Sequence, residues 1–237
     1  MNSVKKFFYY LKNDGVIYVI GHLIRYFLNP FLYKIRPFLK KNKKKKFIKK
    51  YKFSFPESNY FLSPDYLDLN NLVDQTLKLK PQCVLELGTG YSTYAIIFAL
   101  NELKENNGHK FKFYAIDQNK EYLENLRKFI PEKLSKQINF CYRPIYIKKY
   151  NNTLMSFFKD LPKEKFDYIY EDRHDQQETK LAGDILEYEH GLNHNNVKFS
   201  FTIDGMPITT NYYKKNLKGN YRISGSVIHG TNFDIKN

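Results

Sequence analysis

The sequence predicts a doubly wound α/β fold, a mostly parallel sheet with helices on both faces, preceded by a helical and basic N-terminal arm. Three observations carry that prediction. Short β-rich runs alternate with helical periodicity from about residue 63 onward. Glycines and acidic residues cluster just after those runs, where such sheets hold ligands. Positive charge is concentrated in the first 52 residues.

The charge fixes the domain division. Of 237 residues, 39 are Lys or Arg and 24 are Asp or Glu, a net of +15. Residues 1–52 hold 15 basic side chains and one acid, Asp14, a net of +14; residues 53–237 hold 24 and 23, a net of +1. Hydrophobic residues at 42% and aromatic residues at 17% exclude a disordered chain. Two cysteines, Cys83 and Cys141, exclude a disulfide scaffold and a four-cysteine zinc site.

Within the arm, Val4, Phe7, Phe8 and Leu11 mark one helix face, which Asn13-Asp14-Gly15 ends. Apolar segments follow at Val16 to Leu28 and Phe31 to Leu39, split at Asn29-Pro30, and eight lysines crowd into residues 40–50. The longest uncharged run here, Gly15 to Ile24, is ten residues; a bilayer span needs about 20. No small-residue cleavage site marks a signal peptide. These features read as an interfacial anchor on an anionic membrane surface, placing a cytoplasmic protein at the inner face of the cell membrane. The competing reading packs the apolar faces on the body or on a second subunit. Lysine in excess of arginine disfavours sequence-specific nucleic-acid binding, and oligomeric state is not readable.

In the body, Ser63-Pro64 reads as the opening of a helix with Leu69, Leu72, Val73 and Thr76 inward, ended by Lys80-Pro81. Cys83 to Leu87 reads as a strand, Gly88-Thr89-Gly90 as a turn, and Tyr94 to Leu103 as a helix. Phe111 to Asp117, Gln137 to Tyr142, Phe166 to Tyr170 and Phe199 to Ile203 read as further strands. Helices are expected at about Lys120 to Phe129, Glu178 to Glu189 and Thr209 to Leu217, and a strand pair within Tyr221 to Lys236. Both cysteines fall in strands and read as core.

Glu86-Leu87-Gly88-Thr89-Gly90-Tyr91-Ser92 resembles the first motif of class I S-adenosylmethionine (SAM)-dependent methyltransferases, an acid two residues before a Gly-x-Gly turn. Asp117 stands where that family holds the cofactor ribose, and Phe166 to Asp172 resembles its fourth-strand motif. The resemblance covers about residues 60–237, is closest to small-molecule and sugar O-methyltransferases, and implies a seven-stranded Rossmann-like sheet. It implies SAM held by Glu86, Gly88, Thr89, Gly90, Ser92 and Asp117. A dinucleotide fingerprint would want glycine where Thr93 stands, and Glu86 would face a pyrophosphate badly. The structural alternatives are that Glu86 bonds its own loop and that Asp117 caps the next helix.

Methyl transfer to an alcohol needs a base, and His174 is the candidate, its ring oriented by Asp172 or Asp175; the alternative is a surface histidine. Catechol-type enzymes place metal-binding carboxylates at the ends of the fourth and fifth strands. Asp172 and Asp204 match those positions for Mg²⁺, but Gly205 stands where the catechol enzymes have an Asn ligand. His190 and His194 read as a solvated helix end or a weak metal pair. The Asn/Asp-Pro-Pro-aromatic and Pro-Cys motifs of nucleic-acid base methyltransferases are missing after the fourth strand. The expected activity is O-methylation of a hydroxylated small molecule or glycan, such as a surface-polysaccharide intermediate. The alternative is an inactive relative that acts as a membrane-associated partner.

Overall fold

The computed structural model describes residues 41–56, 61, 64–173, 181–187, 199–217, 221–225 and 230–235. The chain divides into two compact units, Met1–Ser54 and Phe55–Asn237. In the first, the lysine-rich stretch 41–51 is helical, and Phe47 packs on Tyr51 and Phe53 with ring centroids 4.8 and 6.4 Å apart. The apolar segments expected within residues 4–39 lie outside the described residues.

The second unit opens with helix α1 (Tyr66–Leu79). Its cap corrects the sequence reading. Asp65, not Ser63-Pro64, closes the first turn, its carboxylate accepting from the Leu67 N–H at 2.8 Å, and Pro64 stands outside the helix. Ser63 lies outside the described residues. Leu69, Leu72, Val73 and Thr76 are buried, and Lys80 ends the helix in the left-handed region at φ 50°.

Strand β1 (Cys83–Leu87), helix α2 (Tyr91–Asn107), strand β2 (Lys112–Asp117), helix α3 (Lys120–Phe129), the short α4 (Glu132–Ser135) and strand β3 (Asn139–Tyr142) follow. The chain then makes an antiparallel hairpin, β4 (Ile145–Tyr150) and β5 (Thr153–Phe158). The sequence reading has no element there. The turn residues Asn151 and Asn152 both take positive φ, 46° and 64°, as the tightest hairpin turns require; the pair lacks the glycine that usually announces one. Strand β6 (Tyr168–Glu171), α5 (Asp184–Glu187), β7 (Ser200–Ile203), α6 (Pro207–Asn216) and the pair β8 (Tyr221–Gly225) and β9 (Thr231–Ile235) complete the unit. Of the helix expected at Glu178 to Glu189, residues 178–180, 188 and 189 lie outside the described residues.

The main sheet has seven strands in the order β3-β2-β1-β6-β7-β9-β8, all parallel except β9, which runs antiparallel to β7 and β8. The chain starts near the middle at β1, winds outward to β3, then crosses back to lay β6 on the other side of β1. This is the seven-stranded, mostly parallel, Rossmann-like sheet that the sequence predicts. The β1/β6 border is its topological switch point, where a crevice opens outside the strand ends. Strands β1, β6 and β7 are buried at every residue, which fits their largely apolar composition. Leu85, Leu87, Ile169, Phe201, Tyr213 and Phe233 belong to one continuous core. Cys83 joins that core, but Cys141 sits on edge strand β3 and is only half-buried.

Candidate active site

At the switch point the backbone packs so closely that one residue must be glycine. Gly88 has φ +87°, and a Cβ there would stand 2.2 Å from the Asp172 carbonyl oxygen. The Gly88 N–H donates to the Ile116 carbonyl and the Asp172 N–H to the Leu87 carbonyl, each at 2.9 Å, carrying the sheet ladder past the strand ends. Asp117, at the end of β2, holds the turn itself. Its Oδ2 accepts from the Thr89 N–H at 3.0 Å and the Thr89 hydroxyl at 2.9 Å; its Oδ1 accepts from the Asn119 N–H at 2.8 Å. The cap of α3 is Asn119, whose side chain accepts from the Tyr122 N–H, so Asp117 does not cap that helix. Thr93 takes the place of a third glycine by accepting the Gly90 N–H at 3.0 Å.

Glu86 lies fully buried behind this turn, beside the Ser92 and Thr93 hydroxyls. Burial pushes its carboxyl up to about 8; the nearby Ser92 and Thr93 hydroxyls offset part of the rise, while Asp172 and Asp117 add to it. The carboxyl therefore carries its proton at neutral pH until a cationic or hydrogen-bonding group arrives.

The crevice in front encloses about 330 Å³. Thr89, Gly90, Tyr91 and Ser92 form one wall, and Pro64, Asp65, Asp68 and Leu69 of the α1 region form another. Tyr170, Asp172, Asp204 and Gly205 close it from the ends of β6 and β7. The Tyr170 hydroxyl donates to Asp204 Oδ2 at 2.8 Å, and burial, with the Asp204 charge, holds that phenol well above its ordinary range as a fixed donor. Of the residues expected at the site, Thr89, Gly90, Ser92, Asp172 and Asp204 thus line one crevice, while Gly88, Glu86 and Asp117 build its floor and back. His174, Asp175, His190 and His194 lie outside the described residues.

The two carboxylates expected to hold a metal, Asp172 and Asp204, line the same crevice. Among the described residues no three His, Cys, Asp or Glu side chains converge as a metal-holding group, and Asp204 already accepts the Tyr170 hydroxyl.

A buried ionic triad supports the β6 end, and the sequence reading misses it. Arg173 donates to Glu171 Oε1 at 2.7 Å and to Asp184 Oδ2 at 2.5 Å, and its guanidinium stacks 4.7 Å from the Phe158 ring. Asp184 also accepts the Phe158 N–H at 2.9 Å. Burial raises the carboxyls of Glu171 and Asp184 despite the opposing pull of Arg173. The triad locks the backbone on both sides of Asp172. Its one legible sign in the sequence is the charged run after an apolar strand; Asp184, eleven residues beyond Arg173, carries no such mark.

No family model matches the chain, and no curated protein matches it. Among solved structures it is similar to an O-methyltransferase from Bacillus cereus in complex with SAH, at 14% identity over 82% of this chain and 91% of that one, with a TM-score of 0.46. It is also similar to the O-methyltransferase TomG from Streptomyces achromogenes, involved in tomaymycin synthesis and in complex with SAM, at 11% identity over 84% and 99% of the chains and a TM-score of 0.45. A methyltransferase from Geobacter sulfurreducens matches at 8% identity over 83% and 88%, with a TM-score of 0.45. All three are methyltransferases.

Proposed function

We propose that the chain binds SAM in the crevice at the β1/β6 switch point and directs its methyl group to a hydroxyl of a small-molecule or glycan acceptor. The observation that carries this reading is the sign of the crevice. Its described lining holds four carboxylates, Asp65, Asp68, Asp172 and Asp204, and no Lys, Arg or His. A glycine turn at strand ends suits a nucleotide-like ligand, but a pyrophosphate would meet like charge at all four of these carboxylates. A sulfonium with an amino group meets opposite charge, and the carboxyl of Glu86, buried behind the turn, adds further capacity there. The fit is to a cation.

SAM, when bound, supplies an electrophilic methyl group. The chain's residues must then hold the acceptor oxygen in line and take its proton. Thr89, Gly90 and Ser92 are the contacts for the cofactor, Asp117 fixes the turn that presents them, and His174 is the base, oriented by Asp172. His174 directly follows Arg173, which the buried triad fixes in place.

Calorimetric titration of the intact chain with SAM tests the reading: saturable binding is expected, and no binding would favour the inactive-partner alternative. Asp117→Ala should weaken SAM by about tenfold, since both hydrogen bonds to Thr89 of the turn are lost. His174→Ala should lower kcat by ~10²–10⁴ with SAM affinity kept; unchanged turnover would remove His174 from the mechanism.

With this activity we assign residues 1–52 to an anionic membrane surface, on the strength of their +14 charge and interleaved aromatic residues. Among the described residues no helix is long and apolar enough to cross a membrane. Liposomes containing anionic lipid should float the full chain and leave residues 53–237 behind. Equal flotation of both would overturn the assignment.

A further inference from the structure

A second crevice of about 300 Å³ opens beside the first, and we infer that it is the acceptor subsite and takes a polyhydroxylated, non-anionic ligand such as a sugar residue. This inference rests on the SAM reading of the first crevice. Asp68, Tyr170 and Asp204 line both crevices, so occupants of the two would meet across those side chains. Asp204, its Oδ2 held by the Tyr170 hydroxyl, stands at that junction as the positioning carboxylate for an acceptor hydroxyl.

The remaining walls are polar and oriented in advance. Asp68, Asn71, Gln75 and Lys78 follow one another along a single stripe of α1, and Thr202 of β7 and Asn232 of β9 stand opposite. Gln75 is only 8% exposed, a degree of burial unusual for a carboxamide. Its Nε2 donates to Asp234 Oδ1 at 2.8 Å, which fixes the amide plane and leaves the carbonyl oxygen as an acceptor toward the crevice. Asn232 Oδ1 accepts the Thr202 hydroxyl at 2.7 Å, so its NH₂ serves as the donor. Fixed donors and acceptors side by side match neighbouring hydroxyls, each of which both gives and takes a hydrogen bond.

Charge narrows the class. Asp68, Asp74 and Asp204 outnumber Lys78, which is itself 3.4 Å from Asp234, so a phosphorylated or carboxylated acceptor is repelled. An amino group would meet the same carboxylates as counter-charge, so the crevice excludes anions and admits neutral and amino sugars.

The test uses the full chain and saturation-transfer NMR with a neutral methyl hexoside, an amino sugar and a hexose phosphate as probes. The neutral glycoside and the amino sugar should each receive at least about twofold more transfer than the hexose phosphate, and Gln75→Leu and Asn71→Ala should each cut the glycoside signal by about half. Asn71 is exposed, so its substitution leaves the fold intact. Stronger transfer to the hexose phosphate, no transfer to the neutral glycoside, or a signal that both variants leave unchanged would overturn the inference. SAM calorimetry on the same samples separates the two readings. SAM binding kept while the glycoside signal falls supports the subsite; a glycoside signal without SAM binding sinks the cofactor reading instead.

Discussion

At Gly88 a missing side chain lets the ends of two strands touch. Alanine there would suffer twice, from the left-handed backbone and from overlap with the Asp172 carbonyl. We expect Gly88→Ala to cost about 2–4 kcal/mol and lower the midpoint of thermal unfolding by roughly 5–10 °C. Gly205 has φ +64° but open space around its Cβ position, so Gly205→Ala should cost only about 1 kcal/mol. Equal losses in circular-dichroism melts would refute the contact argument. Glu86 yields a prediction about pH. Its folded carboxyl sits near 8 against 4.5 in the unfolded chain. The folded state thus holds a proton that the unfolded state releases. Glu86 is accommodated without penalty below pH 4.5, and stability drains away as pH rises through about 8. Glu86→Gln removes that titration, so its melting midpoint should fall less steeply across this window than the wild type's. Parallel curves would show that Glu86 is not buried as described.

Among the elements, the end of β6 is the one whose position depends on charge. Arg173 balances two carboxylates that are buried with it. Arg173→Leu would leave Glu171 and Asp184 without their cation, at about 3–5 kcal/mol. Urea midpoints should show that loss near pH 8 and a smaller one near pH 5, because protonated carboxyls need no partner. A loss independent of pH would mean that packing on Phe158 matters more than charge. Element by element, legibility follows the range of the interactions. The bounds of α3 and β1 are readable because their apolar spacing and punctuation are local. The β4–β5 hairpin is hidden by an Asn-Asn turn, and its seat is non-local: Gly183 leaves room for the Phe157 ring, 2.2 Å from where a Cβ would stand. The cap of α1 fails for a smaller reason, since Ser63 and Asp65 are both good caps and only backbone direction chooses between them.

At the scale of the whole molecule, the order of strands brings residues far apart in sequence to one crevice. Thr89, Asp172 and Asp204 are readable as site residues because each follows an apolar strand, and a doubly wound sheet delivers such positions to one edge. What α1 contributes is not readable that way. Asp68 and Gln75 lie inside a helix whose polar residues resemble any solvated face until β7 and β9 are set against them. If SAM binds as proposed, a concentration 100 times its Kd should stabilise the chain by about 2.7 kcal/mol, read as a shift in the thermal midpoint. The Asp117→Ala variant should show less of that shift at equal SAM concentration.

The shared helix has a consequence for the order of events. The N-terminal turn of α1 borders the first crevice and its later turns border the second, with Asp68 common to both. An occupant of either crevice restrains the same rigid rod, so the second arrival finds part of the ordering already done. If SAM and an acceptor occupy the two crevices as proposed, thermodynamic reciprocity requires that acceptor tighten cofactor by the same factor that cofactor tightens acceptor. Demethylated cofactor, leaving the first crevice, would loosen the hold on the methylated product next to it, and one rod would time both departures.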